Sequence, residues 1–242
     1  TLMTPKDLFH MSDGDKNFTW SPDSKWLLMD WGLSLNNSEV LLLAADGSKK
    51  VNLNESGYYD FSPQWVNGGK QMIWFSNRDG LKSYATSGSS QSDVYSMFFT
   101  QDAWDEFNLS KEEYALQKEI KKLEEAAKKK AEEKDKKKKK KKDDKETKKD
   151  SLDLKFDWDE MKDRTKRFTI HSSSLSDAIL NKDGSKLFYL TRFEDKLNLW
   201  ETDLRTKETK MAIELNASSG SLQWDKEMKN LFLLSSGSIS KI

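Results

Sequence analysis

The sequence predicts an all-β fold, a partial β-propeller of four-stranded antiparallel blades, on two observations. First, one phrase recurs four times: an apolar strand, a tight turn, a lysine and a dense aromatic and aliphatic strand. The turn lysines of the four copies are Lys25, Lys70, Lys186 and Lys229. Second, neighbouring copies within each half of the chain are about 43 to 45 residues apart, the period of one blade. We therefore expect about four blades, with the outer ones incomplete.

The first copy spans residues 18–29 and contains the turn Ser21-Pro22-Asp23 between two apolar segments. Proline presets φ for a turn, and β-branched and aromatic residues favour strands. A third strand is expected over residues 39–43. The Asp46-Gly47 turn then leads into a fourth strand over residues 50–53.

The later copies repeat this unit. The second spans residues 59–75, the third spans residues 177–190 with further strands over 197–204 and 209–213, and the fourth spans residues 222–234. A single blade cannot bury both of its faces, so the blades must stack on each other. Six tryptophans of the repeated strands are expected in the core between blades rather than on a sugar-binding platform: Trp20, Trp26, Trp65, Trp74, Trp200 and Trp224.

A charged insertion separates the second copy from the third. The expected organisation is a first propeller part over residues 1–99, the insertion over residues 100–162 and a second, truncated propeller part over residues 163–242. Residues 136–142 are an unbroken run of lysines, which repels itself and predicts a disordered, solvated spacer. A protein or envelope contact is the alternative. Nucleic-acid binding is disfavoured, because acidic residues interleave with the lysines and stacking aromatics are lacking.

Ordered structure is expected on both sides of the lysine run. Ser110 and Glu113 form a capping box, which predicts a helix from Lys111 to about residue 133. A narrow apolar stripe on this helix is formed by Leu116, Ile120, Leu123 and Ala127. After the run, a short returning strand is predicted by the alternation of Leu152, Leu154, Phe156 and Trp158 with polar residues. Residues 163–169 then have the pattern of a delayed fourth strand of the second blade.

The composition excludes several classes of protein. The chain has no cysteine, which excludes disulfides and thiolate metal sites. Its 41 basic and 41 acidic residues give no net charge, but this average combines near-neutral blades with an intensely charged insertion. No apolar run approaches the length of a membrane span. Because residues 8–10 and 238–242 both lie within blade patterns, we expect the chain to be a fragment of a longer protein.

No catalytic, cofactor or metal site is predicted. The two histidines, His10 and His171, have no other ligand at metal-binding spacing. Residues 88–92 and 237–240 lack the closing glycine of a Gly-x-Ser-x-Gly nucleophile elbow, and no phosphate-binding glycine loop occurs. Asp13-Gly14-Asp15 and Asp143-Asp144 are not interpreted as calcium sites, because calcium needs six or more oxygen ligands. The first segment is interpreted as a turn and the second as part of a solvated tract.

Several segments carry a family resemblance. Residues 21–27, 74–80 and 93–99, together with the charged insertion and Asp203-Leu204-Arg205, resemble the propeller of bacterial tricorn-type serine peptidases. The resemblance covers essentially the whole chain. The Ser-Pro-Asp phrase is common to many propellers, whereas its combination with this insertion is more specific.

The resemblance implies a role and a context. In that family two propellers precede a PDZ-like module and a catalytic core with a serine nucleophile, and the propellers filter or channel peptides. This chain would match part of the second propeller, with no position that corresponds to the catalytic residues. The implied partners are unfolded peptides or proteins and the remaining blades and domains of the same chain, with no cofactor, nucleic acid or membrane span. A periplasmic or secreted parent is implied, with a cytoplasmic alternative, and a homo-oligomer stays open.

Two other functions compete with this one. The chain is alternatively a stand-alone envelope binding or scaffold propeller, related to the translocation-protein type. It is alternatively the propeller of a prolyl-oligopeptidase-like hydrolase. The sequence after Ile242 distinguishes the three hypotheses, because they predict a PDZ-like module with a catalytic core, nothing catalytic, or a nucleophile elbow.

Overall fold

The strands of this protein form four antiparallel sheets, each built from consecutive segments. The computed structural model describes residues 17–34, 37–83, 89–138, 153–193, 195–235 and 237–242. The first sheet contains β1 (Phe18–Trp20), β2 (Trp26–Ser34), β3 (Asn37–Ala44) and β4 (Lys50–Asn52). The second contains β5 (Asp60–Val66), β6 (Gln71–Ser76), β7 (Asp93–Phe98) and β8 (Thr165–Arg167).

The other two sheets follow the insertion. The third contains β9 (Ser174–Leu180), β10 (Lys186–Arg192), β11 (Leu197–Asp203) and β12 (Thr209–Ala217), and the last contains β13 (Ser221–Trp224), β14 (Leu231–Ser235) and β15 (Ser238–Lys241). The four sheets are blades of a β-propeller, which confirms the predicted fold class. The expectation that both outer blades are incomplete is wrong for the first blade, which has four strands; the last blade has three strands among the described residues. The predicted delayed fourth strand of the second blade is confirmed as β8, which pairs with β7.

The first turn of each blade joins strands in nearly the same register. Six residues separate the paired positions Trp20 and Leu27, and the same spacing separates Leu180 and Leu187. The fifth turn position is therefore held by Lys25, Lys70, Ser185 and Lys229. The predicted equivalence of Lys186 with the other lysines is thus wrong by one residue. The turns themselves have the same hydrogen bonds, since Asn181 Oδ1 accepts the N–H groups of Ser185 and Lys186 as Ser21 Oγ accepts those of Lys25 and Trp26; the third copy has its lysine one position later, at the start of β10.

Three apolar clusters hold neighbouring blades together, as the stacking argument predicts. The β6 strand shows the principle, because successive side chains of a strand point to opposite faces. Met72 and Trp74 pack with residues of the first blade, whereas Ile73 and Phe75 pack with residues of the third. The third and fourth blades share a cluster around Leu190, Leu199, Leu222, Leu231 and Leu233.

The prediction that six tryptophans fill the core between blades is right for five of them. Trp74 is fully buried, and four others pack against the clusters: Trp26, Trp65, Trp200 and Trp224. The prediction is wrong for Trp20, which is 52% exposed. Trp65 and Trp224 hold the same register position and reach back to the preceding blade. No blade precedes that of Trp20 among the residues that the structure describes.

The described part of the insertion contains two α-helices, of which one was predicted. The capping box is confirmed, with Ser110 N–H donating to Glu113 Oε2 and Glu113 N–H donating to Ser110 Oγ, and it opens α2 (Lys111–Lys138). The first three lysines of the run 136–142 belong to this helix, contrary to the expected disorder, and the rest lie outside the described residues. The sequence did not indicate α1 (Gln101–Asn108), which Thr100 caps by accepting the Ala103 N–H.

The predicted returning strand after the lysine run is wrong. Residues 153–158 are extended but pair with no strand among the described residues. The apolar side chains that alternate with polar ones in this segment are those of Leu154, Phe156 and Trp158, and they pack against turns and aromatic rings. The period of two therefore reflects an extended backbone rather than a strand of a sheet. A short 3-10 turn (Met161–Asp163) then leads into β8. No described helix is long and apolar enough to cross a membrane.

Candidate functional site

The first strands of the blades, β1, β5, β9 and β13, are the inner strands. Each stands at one end of its sheet, so one of its edges has no strand partner among the described residues. The inner strands of neighbouring blades contact each other, β1 with β5 and β9 with β13. They therefore lie nearest the common axis, where a propeller has its central channel.

Side chains from the adjacent blade close part of the inner-strand edges. The Asp30 carboxylate accepts the Ser62 N–H at 2.8 Å, and the Asp177 carboxylate accepts the Leu222 N–H at 2.7 Å. Burial raises the pKa of Asp177, while backbone N–H donors to its carboxylate oppose the rise. These contacts fix each blade against the next and leave fewer edge groups open to a partner.

Two indole groups satisfy inner-strand carbonyls in the same repeated manner. Trp65 Nε1 donates to the Thr19 carbonyl at 3.1 Å, and Trp224 Nε1 donates to the Leu180 carbonyl at 2.7 Å. The repeated tryptophan thus has a second role besides filling the core. The sequence indicated its burial but not this hydrogen bond, since the acceptor is a main-chain atom.

Most of the solvent-exposed side chains on the described inner strands are small or neutral and polar. Ser174 and Ser176 on β9 are exposed, and so are Ser221 and Gln223 on β13, which share with Leu234 and Ile239 the face of the last blade that no described blade covers. Phe18 and Trp20 add aromatic surface on β1. Hydroxyl and amide groups both donate and accept hydrogen bonds without carrying charge. This lining can bind polypeptide backbone without selecting a charged side chain.

The insertion is fastened to the third blade by Arg205, which lies in the turn between β11 and β12. Its guanidinium carbon is 3.6 Å from the ring centroid of Tyr114 in α2. It also donates to three carbonyls at the end of α1, those of Glu106, Phe107 and Leu109, at 3.1, 3.2 and 2.7 Å. The last carbonyls of a helix lack intrahelical partners, so Arg205 acts as the cap of α1.

A second polar contact holds α2 to the same blade. Lys118 Nζ is 2.7 Å from Asp183 Oδ2 in the turn between β9 and β10. Burial works against ionisation of Asp183, but hydrogen bonds from Lys118 and Ser185 outweigh it and lower the pKa of Asp183 to about 2. Lys121 Nζ pairs with Glu106 at 2.8 Å and joins the two helices. The start of α2 is therefore docked by polar groups.

The end of the insertion is fastened to the first blade. Lys25 pairs with Asp153 at 2.5 Å, and the Leu154 N–H donates to Asp23 Oδ2 at 3.0 Å. Trp158 lies under Lys49 with 3.1 Å between the ammonium and the ring centroid. The insertion, which arises in the second blade, thus spans turns of the first and third blades on one face of the propeller.

Two cavities flank α1 on this face. The larger, of about 350 Å³, is lined by Phe107, Phe168, Leu204 and four basic residues, Lys166, Arg167, Arg205 and Lys207. Arg167 is already paired with Asp93 at 2.7 Å, and Arg205 is engaged by the helix end. The smaller, of about 250 Å³, lies between α1 and the first turns of the second and third blades.

A buried polar network lies at the opposite ends of β6 and β7. Asp93 is fully buried and accepts hydrogen bonds from Arg167, Thr169 and Ser172. The Tyr95 hydroxyl donates to Asp79, and burial raises the pKa of Tyr95. Both acids of this network, Asp93 and Asp79, therefore have basic or hydroxyl partners. Because Thr169 and Ser172 follow β8, the network joins β7 to the segment after β8.

Of the histidines and acidic pairs considered for chemistry, only His171 lies in the part of the chain that the structure describes. His171 is exposed and makes no hydrogen bond or ion pair within the part of the chain that the structure describes. Asp13-Gly14-Asp15, His10 and Asp143-Asp144 lie outside that part. Among the described residues no three of His, Cys, Asp and Glu are grouped as metal ligands. The prediction that the chain holds no catalytic, cofactor or metal site stays a prediction.

Comparison with known proteins supports the fold. The chain matches no protein-family model and no curated protein. Among solved structures it is similar to the tricorn protease, with 12% identity and a TM-score of 0.57 over 93% of this chain and 20% of that one. A chain of a nidogen/laminin complex matches with 5% identity and a TM-score of 0.50 over 93% and 59%. TolB from Acinetobacter baumannii matches with 10% identity and a TM-score of 0.45 over 93% and 37%.

These similarities concern architecture. At such low identity they show the propeller fold alone, and this chain spans about a fifth of the length of the tricorn protease. The suspected resemblance to a tricorn propeller is consistent with the match over nearly the whole chain. The chain has a β-propeller fold that it shares with the tricorn protease.

Proposed function

We propose that this chain is a non-catalytic propeller segment of a tricorn-like serine peptidase, which binds unfolded peptides and channels them to a catalytic core outside this chain. The observation that carries the proposal is the inner-strand lining. It combines inner-strand edges that have no strand partner among the described residues with the exposed neutral side chains of Ser174, Ser176, Ser221 and Gln223.

The physical reason is a match between this lining and an extended polypeptide. An extended backbone adds to a free strand edge through main-chain hydrogen bonds, which depend little on its sequence. A ring of blades leaves an axial channel that admits an extended chain and excludes a folded domain. Neutral hydroxyl and amide groups bind weakly enough that a peptide passes on. The shared fold with the tricorn protease supports this function.

The proposal extends to the context of the chain. The parent would be a periplasmic or secreted serine peptidase whose other blades, PDZ-like module and catalytic core lie in the same polypeptide. This rests on the sequence resemblance. A stand-alone binding or scaffold propeller is the second candidate, and the outward-facing apolar stripe of α2 favours it, because such a surface suits a protein partner.

The test compares two serines at opposite edges of one blade. Ser221 lies on the inner strand β13, and Ser240 lies on β15 at the other end of the same sheet, and both are exposed. Ser221→Tyr would add a bulky ring on the inner strand, on the sheet face that also carries Leu234 and Ile239, whereas Ser240→Tyr would add the ring on the strand farthest from the inner edge. Binding of a fluorescein-labelled unstructured peptide is measured by anisotropy for each variant.

We expect Ser221→Tyr to weaken peptide binding about tenfold, the loss of roughly one well-made contact, and Ser240→Tyr to leave it unchanged. The peptide should remain intact throughout. Equal effects of the two variants would contradict binding at the inner edge. Cleavage of the peptide by the chain, with contaminating proteases removed, would contradict a non-catalytic role.

A further inference from the structure

The α2 helix has an inverted amphipathic arrangement. Residues advance by about 100° per position around an α-helix. Tyr114, Lys118 and Lys121 make the contacts with Arg205, Asp183 and Glu106, so these three define the side that faces the rest of the protein. All three docking groups are polar or amphipathic.

The apolar residues lie on the other side. Leu116, Ile120 and Leu123 fall within about 60° of one another, on a line that is about 160° from the docking side. They are 58%, 46% and 71% exposed, and Ala127 continues the line and is also exposed. A surface helix ordinarily buries its apolar stripe against the core. Here the helix turns its polar side inward and its apolar stripe toward solvent.

The spacing of the stripe identifies what it fits. Intervals of four, three and four residues are those of the a and d positions of a heptad, with Leu116 and Leu123 at d and Ile120 and Ala127 at a. Side chains at these positions interlock with a second helix. The occupant that the stripe itself suggests is the same helix of another copy, because a and d residues complement their own kind.

The flanking charges decide the orientation. The stripe is bordered at e and g positions by Gln117, Glu119, Glu124 and Ala126. In a parallel pair of helices, each residue at a g position faces a residue at an e position of the partner helix. Glu119 would then face Glu124 of the other copy, which is a contact between like charges. In an antiparallel pair centred between Ile120 and Leu123, Glu119 lies beside Ala126 and Glu124 beside Gln117. Only the antiparallel arrangement avoids a like-charge contact at these positions.

We propose that the outward stripe of α2 is a self-association surface, through which two copies of this chain form an antiparallel helix pair. The contact is isologous, so it closes as a dimer. The two propellers lie on opposite sides of the pair, because each docks on the side of its helix away from the stripe. A seam of two heptads is short, so we expect a weak, concentration-dependent dimer rather than an obligate one.

Sedimentation velocity of the full chain over a range of concentrations tests the association. We expect a monomer–dimer equilibrium for the natural sequence. Ile120→Lys should weaken association about tenfold or more, because it removes a buried apolar contact from each helix. The matched control is Lys122→Glu, an exposed position on the same helix outside both the stripe and the docking contacts. Circular dichroism checks that each variant keeps its helix content.

Cysteine cross-linking tests the orientation, since the natural chain has no cysteine. Mixing Leu116→Cys with Ala127→Cys in air, with dissolved oxygen as the oxidant, should give a disulfide-linked heterodimer, whereas Leu116→Cys alone should cross-link poorly. A chain that stays monomeric at all concentrations would overturn the proposal and leave the stripe to a different partner. Preferential cross-linking of Leu116→Cys to itself would also overturn it, because that is the parallel arrangement.

Discussion

The sharpest test of how the insertion is seated uses two adjacent glycines in the turn between β5 and β6. Gly68 and Gly69 both have left-handed backbone conformations, with φ of +65° and +85°. A Cβ at Gly68 would meet no atom within 4 Å. A Cβ at Gly69 would lie 2.6 Å from Leu154 Cδ2 and 3.2 Å from Pro22 Cδ. The two positions therefore share backbone strain but differ in contact with the insertion.

The expected free energies follow from this difference. Alanine in a left-handed conformation costs about 1–2 kcal/mol, and this is the whole expected loss of stability for Gly68→Ala. Gly69→Ala adds the cost of displacing Leu154, about 1–2 kcal/mol for crowding a packed side chain. For a domain of this size each kcal/mol lowers Tm by roughly 2–4 °C. Gly69→Ala should therefore unfold several degrees below Gly68→Ala.

A double-mutant cycle isolates the contact with the insertion. In a Leu154→Ala background the obstructing methyl groups are gone and only the contact with Pro22 Cδ at 3.2 Å remains, so the cost of Gly69→Ala should fall close to that of Gly68→Ala. The free energies are measured by urea denaturation followed by tryptophan fluorescence. Additive effects of Gly69→Ala and Leu154→Ala would refute the seating of Leu154 on this turn, because side chains in contact show coupling.

Three further outcomes are expected. Arg205→Ala should increase the rate of hydrogen exchange in α1 and at the start of α2 about tenfold or more. The reason is that it removes three charge-assisted hydrogen bonds and the contact with Tyr114. The control Lys207→Ala, in the same turn, should leave these rates unchanged. The Lys118–Asp183 contact should be fully present above pH 3.8 and be lost as the pH falls toward about 2, because the pKa of Asp183 is lowered in the folded state. Hydrogen exchange of α2 should follow this pH dependence, and Asp183→Asn should remove it. An exchange profile that Asp183→Asn leaves unchanged would contradict the role of this contact. Because both side chains of that pair are more than a third exposed, salt should weaken it and its contribution should stay below about 1 kcal/mol. Asp177→Asn should gain stability relative to the natural chain as the pH rises above 3.8, because burial raises the pKa of Asp177 and its ionisation then opposes folding. Parallel pH profiles of the free energy of unfolding for the two proteins would contradict this.

The propeller could be predicted from the sequence because its signals are local. An apolar strand, a short turn and a dense apolar strand recur once per blade, and the capping box at Ser110 specifies its own helix start. Lys186 was misplaced by one residue because the copies were aligned on their lysines, whereas the equivalent turn positions are set by the backbone hydrogen bonds to Ser21 and Asn181. Trp20 was misassigned because its burial depends on a neighbouring blade rather than on its own strand.

The parts that could not be predicted depend on contacts distant in the sequence. The α1 helix has only eight residues and packs through Trp104 and Phe107 on Phe98, so tertiary contacts rather than periodicity sustain it. Residues 153–158 have strand-like alternation but find turns and aromatic rings instead of a strand. The inner-strand site consists largely of backbone edges, which no side-chain motif reveals. Only the small polar residues along β9 and β13 hinted at it.

Hydrogen exchange with and without a saturating unstructured peptide tests peptide binding by the inner strands most directly. The amides of β5, β9 and β13 should gain protection, because an added extended chain pairs with their open edges. The outer strands β4, β8 and β12 should not change. Protection confined to the outer strands or to the insertion, or no protection anywhere, would contradict the proposal that this propeller segment receives unfolded peptides along its axis.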